Sequence, residues 1–365
     1  MEEIVDAALE LIAVPSTADR PAELKRALDF VVAYAGPGFE VEWFESHGKP
    51  SALLWPSGPR PRFRVLLNGH VDVVPGTGEQ FHPTIKTGRL YGRGAHDMKL
   101  ATLVLTDVFR ELAREVPYPL GLQLVTDEEV GGFHGTAHQI AEGVEADFVV
   151  IGEQSALRVV NESKGILQIR LHATGRTAHA AYLWNGDNAL LTLHAAIGRL
   201  LERYPLPAAE EWVTTVNVAR IETPNTAVNQ VPGEATAWLD IRFPPQDSEL
   251  TGKTAAELTA YLESLCGVRV TIDNLGAPHW ADPHASDVAL LRAAARDAGF
   301  SGDLLRKHGA ADGRFYYAAG TNAVIFGPGG DGLHGPEEYA DLATVAPYRQ
   351  ALTTFLRSLQ VSAVL

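Results

Sequence analysis

Apolar residues near the start of the chain fall at Ile4, Val5, Ala8, Leu9 and Ile12, and this three-and-four spacing predicts a helix over residues 2–12. Residues 22–34 repeat the pattern. Short apolar runs bounded by glycine and proline follow at residues 41–44, 52–55, 63–67, 120–125 and 148–151, and they read as strands of one buried sheet. Residues 98–115 carry leucines and valines at helical spacing, as expected of the crossover that parallel strands need. Near Asn161 the texture changes. Residues 165–174 alternate through Leu167, Ile169 and Leu171, a helix is predicted at 188–203, strands at 213–221 and 235–243, and a further helix at 252–264. After Pro278 the first texture returns, with a helix at 287–298 and a strand at 323–326. The pattern therefore predicts an α/β fold. A domain with a mainly parallel sheet flanked by helices, residues 1–163 and 279–365, is interrupted by a smaller α+β domain, residues 164–278.

A chain of 365 residues favours two domains over one, and its 46% apolar content suits a sizeable core. The formal net charge of −15 would repel a phosphate backbone, so nucleic acid is not an expected partner. Cys266 stands alone and cannot form an intramolecular disulfide or a thiolate metal site. Residues 1–11 carry Glu2, Glu3 and Asp6 in place of the basic start of a signal peptide, and no apolar run approaches a membrane span. A soluble cytoplasmic protein is the resulting expectation.

Candidate chemistry follows the strands. In an open parallel sheet, residues just past the carboxyl ends gather in the crevice where ligands bind. Leu66-Leu67-Asn68-Gly69-His70-Val71-Asp72 ends a strand with His70 and Asp72 two apart on one face, so His70 can offer a ring nitrogen to a metal while Asp72 orients it. Gly94-Ala95-His96-Asp97-Met98-Lys99 enters the crossover helix, where Asp97 also fits an N-cap and His96 reads as structural. Thr126-Asp127-Glu128-Glu129 places three acids in a row, and such carboxylates repel unless a cation lies among them. Glu128 and Glu129 point differently, which suits one as metal ligand and the other as general base. Glu153 follows the strand at 148–151 and His334 follows the last strand. Two imidazoles with several carboxylates make a sufficient donor set for a pair of Zn²⁺ or Co²⁺ ions. The chain has no H-E-x-x-H, P-loop or G-x-S-x-G signal.

At these residues the chain resembles the M20 metallopeptidase family. The resemblance runs through Gly69-His70-Val71-Asp72-Val73-Val74-Pro75 and Gly92 to Lys99. It implies that His70 and Glu153 hold one metal, Glu129 and His334 the other, and that Asp97 bridges them. Asp72 would orient His70, and Glu128 would be the general base. The interrupting domain becomes a lid and dimerisation domain. Thr177-Ala178-His179-Ala180-Ala181-Tyr182 resembles the family's lid motif, in which His179 from the partner subunit stabilises the oxyanion. Asn229, Arg242, Gly309 and Arg314 resemble substrate-binding positions.

The implied enzyme is a cytoplasmic homodimer that uses two divalent ions, zinc first and cobalt as the alternative. It hydrolyses the amide bond of an N-acyl amino acid, with a dipeptidase or carboxypeptidase as the runner-up. Two departures bear on substrate. Ala310-Ala311 stands where the succinyl-diaminopimelate branch carries Thr-Ser, and Ser163 stands where that branch tends to have arginine. Both weaken the expected grip on a succinyl carboxylate and leave the acyl group open.

Overall fold

The computed structural model describes residues 2–359. It contains two compact units, Met1–Asn161 with Trp280–Arg306 and Ala311–Leu365, and Glu162–His279 with Lys307–Ala310. Residues 307–310, expected in the first unit, cluster with the second. There the Lys164 amide donates to the Lys307 carbonyl at 3.2 Å, a pairing that no local sequence signal announces.

The first unit is built on a mixed sheet that includes, in this order, the strands Glu40–Ser46, Lys49–Trp55, Leu120–Val125, Phe63–His70, Ala146–Ile151, Asn322–Ile325 and Val159–Ser163. The four strands from Leu120–Val125 to Asn322–Ile325 are mutually parallel, and antiparallel strands flank them. Alternation explains why both faces are covered. Val65, Leu67, Phe148, Val150 and Val324 point into one core, shared with the helices Glu2–Ile12, Pro21–Ala35, Leu100–Leu112, Ser286–Asp297 and Val345–Ser358. Leu66, Val149, Ile151, Ala323 and Ile325 point into another, with Ala311 and Tyr316. Each such valine, leucine, isoleucine or phenylalanine side chain contributes about 1.5–3 kcal/mol on full burial. Leu100–Leu112 is buried over ten consecutive positions from Leu100 to Phe109, as a central crossover helix must be.

Register places the carboxyl ends of the four parallel strands side by side. His70 lies opposite Val125, Asn68 opposite Ile151, and Ile151 opposite Ile325. The last strand sits so close that a Cβ at Gly327 would come within 2.3 Å of the Glu153 carbonyl oxygen and 2.4 Å of that of Gly152. Only hydrogen fits there.

The second unit is an antiparallel sheet in the order Thr215–Glu222, Glu234–Phe243, Gly165–Thr174 and Arg269–Gly276. Leu167, Ile169 and Leu171 with Ala237, Leu239 and Ile241 form its buried face, under the helices Ala189–Arg203 and Ala255–Cys266. The second helix begins three residues later than the periodicity predicts. Thr254 caps it, with its hydroxyl accepting from the Glu257 amide at 3.3 Å and the Glu257 carboxylate accepting in return at 2.8 Å. The strand Arg269–Gly276 and the C-terminal helix Val345–Ser358 are additions to the elements expected from the sequence. So is a small sheet in which Tyr339 pairs with Tyr91 and Thr84–Lys86 forms an edge. Among the described residues no helix is long and apolar enough to cross a membrane.

Gly327→Ala tests the close approach of strands. Overpacking of this kind costs roughly 1–3 kcal/mol, so denaturant unfolding should show a lower midpoint with an unchanged slope. Wild-type stability in the variant would remove the argument.

Candidate metal centre

Each of the four adjacent strand ends delivers a donor. His70 is the last residue of its strand, Glu128 and Glu129 follow Leu120–Val125 in a short turn, Glu153 comes two residues after Ala146–Ile151, and His334 lies beyond Asn322–Ile325. The donors converge in two groups. Ligand atoms of His70, Glu128 and Glu153 lie within 4.8 Å of one another, and so do those of Asp97, Glu129 and His334. Asp97 links the groups, one oxygen 3.0 Å from His70 Nε2 and the other 3.3 Å from His334 Nε2. Glu129 approaches the same His334 nitrogen at 3.1 Å.

Three features of the chain fix these positions. Asp72 is fully buried; its carboxylate lies 3.4 Å from His70 Nδ1 and accepts the backbone amides of Glu128 at 3.3 Å and Glu129 at 3.0 Å. Asp72 thus orients the ring, its own carbonyl lying 3.1 Å from His70 Nδ1, and holds the turn through its carboxylate. The three adjacent acids diverge: Asp127 turns inward to accept the His134 amide at 2.7 Å, while Glu128 and Glu129 go to different ligand groups. Asp97 does not cap the crossover helix, whose first residue is Leu100. It sits instead in the turn Ala95–Lys99, where Asp97 and Met98 depart from helical φ/ψ, before a cis peptide to Met98.

That turn is held by a residue the sequence does not single out. Glu338 Oε1 accepts the amides of Gly94 at 2.9 Å, His96 at 3.1 Å and Asp97 at 3.2 Å, and its other oxygen meets Arg93 Nη1 at 2.5 Å. Glu338 reaches the turn because Tyr339 pairs with Tyr91 in the small sheet. Only a long-range strand pairing reveals it, so no local signal was available. His96, read as structural, lies outside both donor groups and joins the fold through its amide.

The remaining candidates are placed as follows. His179 and Asn229 lie side by side in the second unit, where the Ala180 amide donates to the Asn229 carbonyl at 2.9 Å and His179 bridges to Gln230. His179 is exposed, and its Nδ1 accepts the Ala181 amide at 3.1 Å, which makes Nε2–H the donor of the neutral ring. Arg242 is not an open carboxylate clamp. Its fork is taken by Asp240, two residues away on the same strand face, at 2.6 and 3.1 Å. Arg314 is buried and donates to the Gly131 carbonyl at 2.5 Å. Gly309 is exposed with open space around its Cα.

Electrostatics show what the donors lack. Burial, then repulsion from Glu153, pushes the Glu128 carboxyl well above the ordinary range. Burial also raises Glu129, partly offset by the hydrogen bond from His334. His334 is lifted to about 10 by its hydrogen bonds to Asp97 and Glu129. Burial would lower His70, but Asp72 and Asp97 outweigh it and its net shift is upward. Protons are thus held where opposing charge is needed, which is the condition a divalent cation relieves. Imidazole and carboxylate donors in these numbers fit such ions.

The buried imidazole of His70 and the exposed one of His334, set among carboxylates at the carboxyl ends of adjacent parallel strands, fit a metal-dependent hydrolase of amide bonds. The chain belongs to peptidase family M20/M25/M40, whose model matches residues 66–358. It is 27% identical to a succinyl-diaminopimelate desuccinylase of Variovorax paradoxus, covering 100% of each chain. It is 28% identical to one of Bordetella pertussis, covering 97% of this chain and 98% of that one. In fold it is similar to a tripeptidase of Staphylococcus aureus, at 20% identity and TM-score 0.78 over 98% of this chain and 97% of that one. A metallo-carboxypeptidase of Sulfolobus solfataricus is similar at 18% identity and TM-score 0.76 over 98% and 99%.

Metal uptake should release protons. The folded pKa of His334 stands above its ordinary 6.5, so in the metal-free protein its stabilising contact is complete below that value and lost as pH rises through about 10. A metal competes with that proton, and its affinity should rise with pH across the same window. Titration calorimetry in buffers of different ionisation enthalpy measures the release; uptake without protons would contradict this account.

Proposed function

We propose that the chain is a di-zinc amidohydrolase that removes an acyl group from an N-acyl amino acid. The observation that carries the proposal is the pair of adjoining donor groups joined through Asp97, with Glu128 standing in one of them. In this reading His70 and Glu153 would hold one ion, Glu129 and His334 the other, and Asp97 would be shared by both sites. Zinc suits this mixed set of nitrogen and oxygen donors, and cobalt is the alternative metal. When bound, divalent ions held by these residues would polarise the scissile carbonyl and acidify the attacking water.

The chain's own residues then have separable tasks. Asp72 holds His70 in one tautomer and keeps the Glu128–Glu129 turn in register. Glu128 takes the proton of the attacking water and delivers it to the leaving amine, a role suited to a carboxyl whose pKa is raised by burial. The partner subunit's His179 is the oxyanion donor through Nε2–H, in a homodimer formed by the second unit. Exposed Tyr182, Leu183, Trp184, Leu191 and Ile221 give that unit an apolar surface for such an interface. The substrate is a small acyl amino acid or dipeptide. The curated relatives are named as desuccinylases and favour deacylation over peptide cleavage.

Glu128→Gln should lower kcat by roughly 10²–10⁴-fold while leaving two metal ions per chain in elemental analysis. Loss of one ion would make Glu128 a ligand and overturn its role as base. Chelator should abolish hydrolysis of acyl amino acids and Zn²⁺ or Co²⁺ should restore it; inactivity on that panel with turnover of dipeptides would select the peptidase. A monomer with full activity in light scattering and kinetics would remove His179 as a donor from the partner.

A further inference from the structure

The turn that carries Glu128 and Glu129 is short and runs straight into two glycines. It closes through amides of Val130 and Gly132 on the Asp127 carbonyl, at 3.2 and 2.8 Å, and of Gly131 on the Glu128 carbonyl at 2.9 Å. Gly131 and Gly132 follow at φ +113° and +67°, conformations open to glycine and for that reason easily left. Asp72 secures the start of the turn through the two glutamate amides. Its far end needs a second anchor.

The segment from Asp312 to Phe315 supplies one. Arg314 donates Nη2 to the Gly131 carbonyl at 2.5 Å, and its guanidinium carbon lies 5.6 Å from the Phe133 ring and 4.7 Å from the Phe315 ring. Those rings meet edge to face at 5.5 Å. Beside them Asp312 accepts the Thr136 hydroxyl at 2.5 Å, and its other oxygen packs so tightly on Gly132 that a Cβ there would come within 2.1 Å. Both Asp312 and Arg314 are buried. Consecutive side chains of one short segment thus grip residues 131–136, just beyond the second glutamate.

We propose that Arg314 is a positioning residue for the Glu128–Glu129 turn and not an anchor for the substrate's carboxylate. A planar guanidinium that lies against two rings while donating to a carbonyl fixes both the distance and the tilt of the turn, which a lysine cannot do. The assignment rests on the reading of Glu128 as base and Glu129 as metal ligand, and the two residues give it separate readouts.

Arg314→Met should lower kcat by about 10–100-fold, the range for a misplaced catalytic group, with KM for an acyl amino acid changed by less than about threefold. An analogue with the carboxylate replaced by carboxamide should lose kcat by the same factor. Metal retention against a chelator should weaken by about tenfold through Glu129, and this readout stands even if Glu128→Gln shows that Glu128 is not the base. Arg314→Lys should recover part of both losses. Phe133→Leu, a change at a half-exposed position that leaves no buried charge, should shift both readouts in the same direction by less. A tenfold or larger rise in KM confined to the carboxylate substrate, with kcat and metal retention intact, would overturn the proposal. Unchanged constants in Arg314→Met and Phe133→Leu would overturn it equally.

Discussion

The crowding of like charge at the carboxyl ends of four parallel strands governs the rest of this molecule. Asp97, Glu128, Glu129 and Glu153 are brought within reach of two imidazoles by strand register together with the turns that follow the strands. In water such a cluster would disperse. Here the strands are buried on both faces, so the ends cannot separate without opening both cores. The fold carries this crowding: burial, with repulsion added, raises the glutamate carboxyls, and hydrogen bonds to Asp97 and Glu129 raise the His334 imidazole.

Support around the donors is graded by what each backbone segment needs. A strand end such as His70 is fixed by its ladder and needs only a ring partner, which Asp72 provides. Turns need more. The Ala95–Lys99 turn departs from helical geometry at Asp97, and Glu338 accepts its amides one after another. The Glu128–Glu129 turn is held by Asp72 at one end and Arg314 at the other. Buried carboxylates that accept several amides act here as scaffolding for other carboxylates, and each satisfies donors that would otherwise be costly to bury.

The second unit follows a simpler rule. One face of its antiparallel sheet is apolar and covered by two helices, so strict alternation suffices to specify it. Arg242 shows how a polar position on such a sheet finds a local partner. With Asp240 two residues away on the same face, its guanidinium is satisfied inside the strand.

Much of this was legible in the sequence. Apolar runs marked the parallel strands, alternation marked the second sheet, and positions at or just past strand ends for His70, Glu128, Glu129, Glu153 and His334, with Asp97 at the entry to the crossover helix and the resemblance of these motifs to a known family, singled out the residues that converge. These are local properties, governed by periodicity and by the rule that ligands collect at the carboxyl ends of parallel strands. Tertiary structure decided the rest. Asp97 faces two imidazoles instead of capping a helix because Glu338, 241 residues away, holds its turn. Arg314 and Arg242 are engaged within the fold although their sequence contexts suggested free cations. A side chain's chemistry is written at its own position, but its partners are set by strand register and chain crossing between distant segments, and no local pattern encodes those.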